Sequence, residues 1–223
     1  MMDVRLAMLF ASLLSLVPSF GLLTLATWWY ERKMDEKDLN ITFIIGIFAG
    51  VALIVLHIFL ANDPNIMTLI LPFAFLASLS EVLLYHVYVN RKKLRGRTDT
   101  PFMAFSFALG IAGAYLLFTV GRFFVAGSED PESMLGLVLF ALGVPLARSG
   151  TALLYSRERK KRRSLIGSIW LPTMVLGVFN TFALLYLLGN TYLWPFSAIG
   201  AIVGTMIFAW NYKTLSKVPD REE

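Results

Sequence analysis

Leu71–Val89, LPFAFLASLSEVLLYHVYV, decides how the chain is read. It is apolar enough to lie in a bilayer core, yet it carries a carboxylate, Glu81, near its middle. An ionisable group in hydrocarbon costs about 2.5–3.5 kcal/mol or more on insertion scales, so it is normally kept for a purpose and turned towards a partner. One other charge lies comparably deep in an apolar run, Arg148. The rest of the chain reads as a helical bundle built around that polar interior.

Composition agrees. The chain has 223 residues, 57% hydrophobic and 16% charged, with mean hydropathy +0.67. Soluble domains carry about 25% charged residues, so the deficit and the long apolar runs place this chain in the polytopic membrane class. The absence of Cys excludes disulfides and thiolate metal sites. The net charge of +5 is not a nucleic-acid footprint, because the basic residues sit in short links between apolar runs. The N-terminal run is too long for a signal h-region and has no small-x-small site before Trp28–Trp29, so it reads as a first span.

Seven apolar runs reach the roughly 20 residues that a hydrocarbon core of about 30 Å requires. They cover about 6–30, 41–61, 66–89, 102–126, 134–155, 165–188 and 195–212, giving an all-α, seven-span membrane domain over 1–223. Gly46 and Gly50 in span two, and Gly200 and Gly204 in span seven, have GxxxG spacing; Gly110 lies with Ser106 and Ala114 on one face of span four. These positions predict close helix packing. The third link, NRKKLRGRTDTP, has five basic residues and the fifth, SRERKKRRS, has six, whereas links two, four and six have none. The positive-inside rule then puts the N-terminus outside and the C-terminus in the cytoplasm of a multi-pass cell-membrane protein. Trp28, Trp29, Tyr30, Tyr192, Trp194 and Trp210 fall near span ends, as interfacial anchors do. The polar tail after Tyr212 is expected to fray.

Counting from the outer ends, Glu81 lies about 22 Å deep and Arg148 about 21 Å, so the two are level and can pair. Asn180 counts out about 10 Å nearer the outer side than Glu81. His86 is five positions after Glu81, about 140° round the helix, near the cytoplasmic edge. His57 and Arg122, near outer ends, can pair or snorkel. No HExxH, no GxSxG, no Asp within a span and no Lys in span seven occur, so zinc, rhomboid-like, aspartyl and retinal chemistries lack their residues. Two histidines on different helices make no metal site, and neither a metal nor a cofactor is expected.

The order of elements resembles the PrsW-type and CAAX-type glutamic intramembrane protease superfamily, and its non-catalytic relative, the Aph subunit of γ-secretase. The likeness is best from about Ser78 to Tyr212. Where those proteases carry a Glu-Glu pair, Ser80-Glu81 stands here. The second motif falls on GIAGAYLLF, which offers Ile111 and Tyr115 and neither acid nor base. The HxxxN motif becomes Leu176 to Asn180, with the Asn kept and the His lost. In the enzymes such groups activate water and hold the oxyanion; Tyr115 and Leu176 cannot act as bases. The resemblance implies a scaffold or helix-binding protein with degenerate motifs, whose partners are the lipid bilayer and a transmembrane helix or membrane-embedded peptide. The alternative is an active peptidase using Glu81 with Asn180 and His86. A small-solute transporter or lipid-binding protein would need a continuous polar path, which the spans do not supply.

Overall fold

The computed structural model describes residues 4–30, 33–61, 69–94, 97–125, 131–161, 165–188 and 194–219. All regular structure among them is helical: α1 (Val4–Trp29), α2 (Glu36–Ala61), α3 (Ile70–Val89), α4 (Thr100–Val125), α5 (Pro131–Lys160), α6 (Leu165–Leu188), α7 (Trp194–Asn211) and the single turn α8 (Lys213–Ser216). In hydrocarbon a helix satisfies its own backbone groups, which is why long apolar runs take this form. Six helices, α1 to α6, are long and apolar enough to cross a membrane. The shorter α7, with 18 residues that include Trp194, Pro195 and Asn211, falls outside that set.

Helix ends depart from the drawn spans where polar residues cap them. Asp35 Oδ1 accepts from the backbone N–H of Lys37 at 2.9 Å, and Glu36 and Asp38 occupy the first turn, so α2 begins inside the first charged link. In α5, Pro131 opens the helix and Arg157, Arg159 and Lys160 fill its last turn. At 30 residues α5 is about 45 Å long and outreaches the hydrocarbon.

Contacts fix the helix directions. Tyr30 lies on Phe102 and Leu16 beside Gly113, so α1 and α4 are antiparallel. Thr42 meets Met103 and Gly50 meets Ala114, so α2 and α4 are parallel. Pairs Glu81–Arg148 and His86–Tyr155 make α3 and α5 parallel. Ser197 reaches Gly136 and Phe208 lies on Gly150, so α7 runs with α5. Ser78–Asn180, with Leu184 clustered on Ile70 and Ala74, makes α3 and α6 antiparallel. Tyr88 lies on Phe107 and the Glu81–Arg148 pair lies at Tyr115, so α3 and α4 are antiparallel, and odd-numbered long helices run one way and even-numbered ones the other.

The hub is α4. Of its apolar span 83% is buried, against 22% for α1, because Ala104, Ala108, Gly110 and Ala112 let neighbours approach from several sides. The two most extensive helix contacts are α5–α7 and α2–α4, both seams that cross at glycine. A methyl on Gly46 would fall 2.2 Å from the Phe107 carbonyl oxygen, and one on Gly110 2.1 Å from that of Phe43. On the other seam, a methyl on Gly204 would meet the Gly143 carbonyl oxygen at 2.6 Å and one on Gly150 the Phe208 nitrogen at 2.7 Å. Gly50 is equally close to Ala114. Gly200 differs from the expectation: its nearest neighbours are the Phe179 and Phe182 side chains at 3.7 and 3.8 Å, ordinary contact with room for a methyl.

The tail also departs from expectation. Leu215 and Val218 are buried, and Lys33 Nζ donates to the carbonyls of Ser216 at 2.8 Å and Val218 at 2.7 Å. Two apolar side chains three residues apart find a pocket, and an ammonium caps the turn over them. The tail thus lies against the link after α1, and Arg97 Nη1 ties the third link to Asp38 at 2.7 Å. All the described basic links share one end of the bundle. Link two, residues 128–130 of link four and 189–193 of link six, and the side chains of His57 and Arg122, lie outside the described residues.

Candidate functional site

Glu81 and Arg148 meet inside the bundle, 0% and 1% exposed. Arg148 Nε donates to both carboxylate oxygens, 3.1 Å to Oε1 and 3.0 Å to Oε2. Glu81 Oε1 also accepts from the hydroxyl of Tyr85, one helical turn on. The guanidinium lies over the Tyr115 ring, 4.2 Å from its centroid. The cation thus has a carboxylate at its Nε side and an aromatic face below, and a desolvated contact of the latter kind is worth about 2 kcal/mol. Arg148 Nη1 is buried with no hydrogen-bond partner among the described residues. Breaking such a pair leaves one uncompensated charge, which costs about 3–5 kcal/mol.

Aromatic packing holds these groups. Tyr85 sets its edge on Phe107, 6.2 Å between centroids at 79°, and Tyr88 stacks on the same ring at 4.3 Å. Tyr88 shares a 2.7 Å hydrogen bond with Thr42, which locks α2 to α3 below the pair. A bulky aromatic at position 107 therefore steers both tyrosines of α3.

Asn180 Nδ2 donates to Ser78 Oγ at 2.8 Å, and Ser78 donates to the Ala74 carbonyl at 2.7 Å. Asn180 thus sits one turn from Glu81, nearer than the counted 10 Å. The difference comes from the start of α3. Glu81 stands eleven residues in from Ile70 and Asn180 eight residues in from Leu188, a difference of three residues or about 4.5 Å. Leu176 is fully buried among apolar side chains. His86 is not brought to Glu81. Its Nδ1 faces the Tyr155 hydroxyl at 2.8 Å, with Asn90 one turn on.

Three partners of these residues escaped the sequence. Tyr85 had a signal, since i and i+4 on a helix are neighbours. Ser78 and Tyr155 had none, because their partners lie on other helices. Outside the spans, Arg97 grips Asp99 with two bonds, Nε at 2.9 Å and Nη2 at 2.7 Å, as well as Asp38. Hydrogen bonding to Asp99, reinforced by Asp38, holds the Arg97 guanidinium above its ordinary pKa against partial burial. Comparisons of the chain with family models, with curated proteins and with solved structures find no match.

Proposed function

We propose that the chain is a non-catalytic scaffold of the cell membrane that holds a partner transmembrane helix or membrane-embedded peptide. In this proposal it has the layout of the glutamic intramembrane protease superfamily and is close in layout to the Aph subunit. It crosses the bilayer seven times, with the N-terminus outside and the C-terminus in the cytoplasm. Alternating helix directions through α7 and the basic links at one end support that topology.

The observation that carries the scaffold reading is the engagement of the Glu81 carboxylate. Both oxygens accept from Arg148 Nε, and Tyr85 adds a third bond. A general base needs a free lone pair within reach of water; this carboxylate is wholly buried and both its oxygens face fixed donors. The two positions where the resembling enzymes carry further acid or base hold Tyr115 and Leu176. His86, which a peptidase would need beside Glu81, is committed to Tyr155.

The test uses the purified full chain in liposomes that contain a membrane-embedded peptide. The scaffold reading expects no cleavage by the wild type, and a lower thermal midpoint in Glu81→Gln. Cleavage by the wild type that stops in Glu81→Gln overturns it in favour of the peptidase.

A further inference from the structure

We infer that the adjoining ends of α3 and α5 form a headgroup site for an anionic phospholipid. Two links that carry like charge are held side by side here. The His86–Tyr155 contact at 2.8 Å joins the last turn of α3 to the turn before the last of α5, and Arg159 Nη1 approaches the Val89 carbonyl to 3.5 Å. From this junction Arg91, Lys92 and Lys93 leave α3, while Arg159 and Lys160 end α5. Lys92, Lys93 and Lys160 are exposed.

Acidic groups nearby are already taken. Glu158, the one acid on these two stretches, is buried and its Oε1 faces Arg157 at 3.4 Å and Lys161 at 3.1 Å. Asp38 and Asp99 both bond Arg97. Cations gathered at one junction repel one another unless an anion sits among them, and the sequence places no further carboxylate on these stretches to do so.

The surroundings select a lipid as the source of that anion. Exposed tryptophans mark the headgroup level at this same end: Trp28 on α1 (74% exposed), Trp170 on α6 (60%) and Trp210 on α7 (69%). Arg157 lies over the Trp210 ring, 5.6 Å from its centroid, so the cations begin where the aromatic belt ends. On α3 the exposed Leu76, Leu83 and Val87 form an apolar track that runs up to Arg91, where an acyl chain would lie beneath its phosphate. Juxtamembrane basic clusters attract acidic headgroups by just this arrangement. The inference rests on the membrane reading and holds whichever way the bundle faces, because both leaflets present headgroups.

Native mass spectrometry of the full chain in detergent tests the site, with phosphatidylglycerol and phosphatidylcholine of matched acyl chains as probes. The wild type should retain phosphatidylglycerol in preference to phosphatidylcholine. Lys92→Gln/Lys93→Gln/Lys160→Gln should lower that retention by at least about tenfold, since each juxtamembrane cation contributes about 1 kcal/mol, or about fivefold. Lys37→Gln/Lys213→Gln/Lys217→Gln removes equal charge from exposed positions at the same end, and should change retention by less than about twofold. Equal losses in the two triple variants, or no preference in the wild type, overturn the site. Displacement of the lipid by an equimolar amount of soluble glycerol phosphate overturns the lipid as its ligand. None of these outcomes depends on whether Glu81 takes part in catalysis.

Discussion

Two charge networks tie helices together in this molecule, and they work under opposite conditions. Glu81–Arg148 is dry: two charges, both almost wholly buried, joined through one nitrogen and steadied by Tyr85 and Tyr115. Asp38–Arg97–Asp99 is wet on its Asp38 arm: a bidentate fork on Asp99 with a second carboxylate, shorter bonds, and side chains 31% and 40% exposed at Arg97 and Asp38, against 7% at Asp99. By bond length and number the wet network looks stronger. Energetically the order reverses. Water screens an exposed pair to about 0–1 kcal/mol, whereas losing one member of a buried pair strands the other in low dielectric. Contact geometry alone therefore misjudges which network the fold depends on.

The largest effect that separates the two is the loss of one buried charge. Glu81→Ala or Arg148→Leu should each destabilise the protein by about 3–5 kcal/mol, read as the thermal midpoint in detergent. A fall no larger than that of a surface variant would erase the contrast. Next comes Tyr85→Phe, which removes one bond to a charged acceptor and should cost about 1.5–3 kcal/mol. No loss there would mean that Arg148 alone positions the carboxylate. Smallest is Asp38→Ala, which removes the exposed arm of the wet network, at about 1 kcal/mol or less, and this loss should shrink further as salt is raised to 1 M. The buried variants should keep their full deficit in salt, since no ions reach the pair.

Much of this was legible in the residues. Apolar runs mark each long helix, and counting depth at a fixed rise per residue sets Glu81 level with Arg148. What was not legible depends on ends and on neighbours. Counting residues sets Asn180 too far from Glu81 because the apolar pattern runs on N-terminal to Ile70, where α3 begins. Gly200 has the same spacing from Gly204 as Gly46 from Gly50, yet only crossing geometry decides which glycine meets backbone. The seven-residue spacing of Gly136, Gly143 and Gly150 was a readable sign of the α5–α7 seam, since it returns to one helix face every two turns. The docked tail left only a faint mark, Leu215 and Val218 in a polar stretch. The place of α4 as hub follows from its small residues, whose effect is felt only once partners pack on them.

The central claim is that Glu81 and Arg148 stabilise the bundle as a mutually neutralising pair. A double-mutant cycle with Glu81→Ala, Arg148→Leu and the combined variant, measured by thermal unfolding of the purified chain in one detergent, tests it most directly. The pair predicts that the combined variant recovers part of the single losses, with a coupling of about 1.5–3 kcal/mol. Single losses that add to within about 0.5 kcal/mol would contradict it.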